Sequence, residues 1–134
     1  MTGNIVAYIT ALIVLVALDM LWLGSTFRTV YLPALGGVMA SDAKVPTAVV
    51  FYAIYPVGLV YFAIAPALRT GAWSAALIGG ALFGFFVYMT YDLTNLATLK
   101  EWSLKVSLID TAWGTVLNGA AATASYLVTR LVVR

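Results

Sequence analysis

The sequence predicts an all-α integral membrane protein: a four-helix transmembrane bundle with a short interfacial helix between helices one and two. Three observations carry that expectation. Hydrophobic residues make up 63% of the 134-residue chain and charged residues 9%, too little charge to cover a soluble domain. Four apolar runs, at about 4–24, 46–67, 74–99 and 105–129, are each long enough to cross roughly 30 Å of hydrocarbon. The segments between them gather basic residues, Pro and Gly. The length allows one transmembrane domain, 1–134.

The first run follows MTGNIVAYIT, which has no basic n-region, and no small-x-small cleavage site comes after it. It reads as a retained helix rather than a signal peptide. Residues 26–45 are too polar to span and too apolar for a free loop. Phe27, Val30, Tyr31, Leu35 and Val38 fall near one helical face, broken by Pro33 and Gly36-Gly37, which predicts the interfacial helix. In the second run Pro56 has no N–H to offer the carbonyl of Tyr52, which is left free near a kink.

The third run holds Gly79, Gly80 and Gly84, and the fourth has Thr111, Thr115, Gly119 and Thr123 at intervals of four. Small residues at these spacings let helix backbones approach in lipid, and the Gly80/Gly84 face offers a homodimer contact. Two short links, Arg69–Gly71 and Lys100–Lys105, make runs two, three and four antiparallel neighbours. Orientation is open. Arg28, Lys44, Lys100 and Lys105 lie on one side, and Arg69, Arg130, Arg134 and the terminal amine on the other.

Cysteine and histidine are absent, which removes disulfides, thiolate nucleophiles, Cys/His metal centres and Ser-His arrangements. No metal site or cofactor is expected. The net charge of +2 comes without a basic run, so membrane lipids are the expected partners and nucleic acid is not.

What remains is a set of acids inside the runs. Asp19 lies about five residues before run one ends, Asp92 about seven before run three ends, and Asp110 about five into run four. Alternating directions put all three in one layer, roughly 7–11 Å inside the same membrane side. Tyr52 is at the same depth on run two. Trp22, Asn95 and Trp113 each follow an aspartate at i+3, on its helical face. A carboxylate near the bilayer interior costs roughly 2.5–3.5 kcal/mol on insertion scales, so three are retained only with shared protons, hydrogen bonds or cations.

LDMLWLG at 18–24, TYDLTNLATLKEW at 90–102 and DTAWGT at 110–115 resemble the signature stretches of a bacterial family of small predicted membrane proteins, a domain of unknown function. The resemblance covers the whole chain, with YDLTNLATL its most specific part. It implies four transmembrane helices in a bacterial inner (cytoplasmic) membrane, and no activity.

Three functions are compatible with this reading. In the first, Asp19, Asp92, Asn95, Asp110, Trp113, Tyr52 and Trp22 form a one-sided acidic pocket roofed by residues 26–40. It would bind or transport a proton, a hard cation or a lipid-like ligand. In the second, Asp92 and Asp110 act as general acid and base of a membrane enzyme working on lipid. The third is a structural or assembly protein in which the aspartates fix helix register.

Overall fold

The computed structural model describes residues 1–133 and is built from four helices. They are α1 (Thr2–Leu35), α2 (Val45–Thr70), α3 (Trp73–Thr98) and α4 (Leu104–Val132). They run up and down in turn. Ser125 near the end of α4 donates to the carbonyl of Ala7 near the start of α1, at 2.8 Å, which fixes those two as antiparallel. The α3–α4 pair shares the largest interface, α1 packs on α4, and α2 closes the bundle against α3 and α1.

Boundaries follow local chemistry. Pro46 opens α2, where a missing N–H costs nothing. Gly71 ends it at φ 74°, the left-handed conformation that favours glycine. Ser103 caps α4 by accepting from the Val106 N–H at 3.1 Å.

Two features differ from the sequence expectation. The stretch expected to form a separate interfacial helix is the continuation of α1. It passes through a wide π-helical turn, Phe27–Tyr31, and ends at Leu35, with turns and bends from there towards Val45. Three helices, α1, α2 and α3, are long and apolar enough to cross a membrane, where four apolar runs were expected. The reason is the role of α4. It is the innermost helix, and Ser107, Asn118, Ser125 and Thr129 on its buried face dilute its apolar character.

Small residues bring α3 and α4 together. A Cβ added at Gly84 would strike the carbonyl of Gly114 and the Asn118 side chain, and one at Gly80 would strike Asn118 and Ala122. The Gly80/Gly84 face, offered by its spacing for a second copy, is therefore filled by α4 of the same chain. Helix α2 also carries a π-helical turn, Val60–Ile64, one turn beyond the buried Pro56. Such turns accommodate an extra residue and often mark functional positions.

Candidate functional site

The aspartate layer begins on α1. Asp19 accepts from the Trp113 indole N–H at 3.2 Å and from the Tyr52 hydroxyl in a short bond. The phenol of Tyr52, rather than its backbone carbonyl, reaches the layer. The neighbouring carbonyl of Ala53 accepts from Tyr8 at 2.7 Å.

The second aspartate of the layer is on α4. Asp110 accepts from the Tyr31 hydroxyl at 2.8 Å, and that hydroxyl accepts from the Trp22 indole N–H at 2.9 Å. Trp22 and Trp113 stack face to face, with ring centroids 4.5 Å apart and planes 4° from parallel. The two D-x-x-W copies thus meet. One stacked indole pair joins the Asp19 branch to the Asp110 branch, each ring donating its N–H to a different one.

Tyr31 is the residue that sequence reasoning missed. It appeared there only as part of an apolar face. Nine residues separate it from Trp22, which in a regular α-helix puts the two on opposite sides. The wide turn Phe27–Tyr31 inserts a residue and rolls the following face back by about 100°. Tyr31 and Leu35 then pack with Val106, flanked by Trp22, Val30 and Trp102, and close the layer from its own membrane side. No periodicity in the sequence signals such a turn.

Asp92 is the innermost carboxyl, 1% exposed. Its Oδ2 accepts from Thr111 at 3.3 Å, Asp110 is its carboxyl neighbour, and its Oδ1 has no hydrogen-bond partner. The spacing of Thr111 predicts only a small-residue helix contact, whereas its hydroxyl donates to Asp92. Asn95, one turn beyond Asp92, makes no side-chain hydrogen bond to the three carboxyls among the described residues; it lies beside Tyr91. Hydroxyls and indoles, rather than Arg28, Lys100 or Lys105, are the donors that meet the carboxyls.

A second polar level lies deeper. Tyr55 donates to Asn118 at 2.8 Å, and Asn118, fully buried, donates to the Gly114 carbonyl at 2.7 Å. Buried polar residues therefore recur along α4 at Ser107, Asn118, Ser125 and Thr129, and the Thr129 hydroxyl has no partner.

Chemically, Asp19 is satisfied by two donors, whereas Asp92 and Asp110 face each other with one buried oxygen open. An unpaired oxygen on a buried carboxylate costs more than the ~1–3 kcal/mol of an ordinary unmade hydrogen bond. A proton held between the two carboxyls removes that cost.

No curated protein and no solved structure matches the chain. A family model described as "Predicted membrane protein (DUF2177)", a domain of unknown function, matches residues 4–127. The chain belongs to this family of predicted membrane proteins.

Proposed function

We propose that this is a four-span protein of a bacterial inner membrane that binds and passes a proton through the Asp92–Asp110 pair. The observation that carries the reading is Asp92 Oδ1, buried without a partner beside a second carboxyl. Two carboxyls competing for one proton form a site that gains and loses it reversibly. Intramembrane ionisable groups typically mark proton or ion pathways. The fourth span would be α4: its 29 residues give about 43 Å, more than the hydrocarbon core needs.

Two further features favour a proton over the other candidate ligands. Asp19 already accepts two hydrogen bonds, so the carboxyls do not converge as ligands to a hard cation would. Asp92 is 1% exposed, so its carboxyl is not presented to the scissile bond of a lipid. Onward transfer is supported by the buried polar residues of α4 beyond the pair, Asn118, Ser125 and the unpartnered Thr129.

The test is proton flux. The full chain is reconstituted in liposomes with a pH-sensitive dye inside, and a potassium diffusion potential drives the movement. Wild type is expected to acidify or alkalinise the lumen according to the sign of the potential. Asp92→Asn, inserted and folded, is expected to be silent, and Lys44→Gln to behave as wild type. Equal flux in Asp92→Asn, or none in wild type, would overturn the transfer reading.

A further inference from the structure

A groove of about 990 Å³ opens on the outer face between the first half of α1 and the last half of α2. It lies at the membrane side opposite the aspartate layer. Ile5, Val57, Val60 and Phe62 line it, and Asn4 and Arg69 sit near the helix ends. The π-helical turn Val60–Ile64 forms one wall.

Length and charge identify the occupant. From Val57 to Arg69 the wall of α2 rises about 18 Å, close to one leaflet of a ~30 Å hydrocarbon core. All five acidic residues of the chain (Asp19, Asp42, Asp92, Glu101 and Asp110) belong to the other end. The end that holds Arg69 also holds Arg130, whose guanidinium lies near Gly71, and no Asp or Glu side chain. An arginine at headgroup level above an apolar trough one leaflet deep matches an anionic headgroup with its acyl chain below.

We propose that this groove binds an anionic glycerophospholipid, its acyl chain against Ile5, Val57 and Phe62 and its phosphate on Arg69. The site is independent of the proton pair, at the opposite membrane side, so Asp92→Asn retains it.

Native mass spectrometry tests this with the full chain in a nonionic detergent. It is titrated with dioleoyl phosphatidylglycerol and, separately, with dioleoyl phosphatidylcholine. One phosphatidylglycerol is expected to be retained in preference to phosphatidylcholine. Arg69→Gln is expected to weaken phosphatidylglycerol retention about fivefold, the worth of one headgroup-level cation, and to leave phosphatidylcholine unchanged. Ala65→Phe, which fills the wall, is expected to remove the bound lipid, and Lys44→Gln at the other end to change nothing. Equal retention of the two lipids by wild type, full phosphatidylglycerol retention in Arg69→Gln, or no retention at all would each overturn the proposal.

Discussion

Replacing Gly84 by alanine tests how closely α3 and α4 approach. The added Cβ would fall on the Gly114 carbonyl and within 2.7 Å of the Asn118 side chain. A backbone carbonyl cannot rotate away as a flexible side chain can, so the two helices must separate or shift. Overpacking of this kind typically costs about 1–3 kcal/mol, and here it also disturbs the Asn118 bond to Gly114. Alanine in place of glycine inside a helix otherwise gains up to about 1 kcal/mol. Gly24 supplies that reference, because nothing lies within 4 Å of its added Cβ. That gain is common to both sites, so Gly84→Ala is expected to lie about 1–3 kcal/mol below Gly24→Ala in stability. Reversible unfolding in mixed micelles, followed by tryptophan fluorescence, measures the difference. Equal stability of the two variants would refute the close approach, and with it the burial of Gly84 inside the chain.

Other expectations follow from the aspartate layer. Tyr31→Phe leaves the Trp22 N–H without an acceptor and Asp110 without its hydroxyl donor, which is expected to cost about 1–3 kcal/mol in the same unfolding assay. Trp113→Phe keeps an aromatic ring against Trp22 but loses the donor to Asp19, for about 1–2 kcal/mol, since Tyr52 remains. The stacked indoles should give an exciton couplet in circular dichroism that vanishes equally in Trp22→Phe and Trp113→Phe. A couplet surviving in either variant would mean the two rings are not paired.

Much of this arrangement was legible because hydrophobic length and alternating direction set depth. Asp19 and Asp110 share one layer for that reason, and the i+3 spacing put Trp22 and Trp113 on the right faces. The D-x-x-W copies run in opposite directions, and antiparallel packing of α1 on α4 lets their two rings meet. Three things were not legible. The wide turn at Phe27–Tyr31 alters helical register by one residue, and no spacing rule anticipates it, so Tyr31 was read as apolar packing. Gly80 and Gly84 gave the spacing of a close helix contact but not the partner, which is Gly114 and Asn118 of α4 rather than a surface left open. Asn118 is not legible either, because a single amide in a small-residue run has no pattern until Tyr55 and the Gly114 carbonyl come beside it.

The central claim is that Asp92 and Asp110 hold one proton between them. Infrared difference spectroscopy of the reconstituted protein at neutral pH tests it directly, with Asp92→Asn and Asp110→Asn as references. Wild type is expected to show a protonated-carboxyl stretching band that disappears in Asp92→Asn and shifts in frequency in Asp110→Asn, where Asp92 stays buried but loses its carboxyl neighbour. A wild type with no such band, a band that persists in Asp92→Asn, or one unshifted in Asp110→Asn would contradict it.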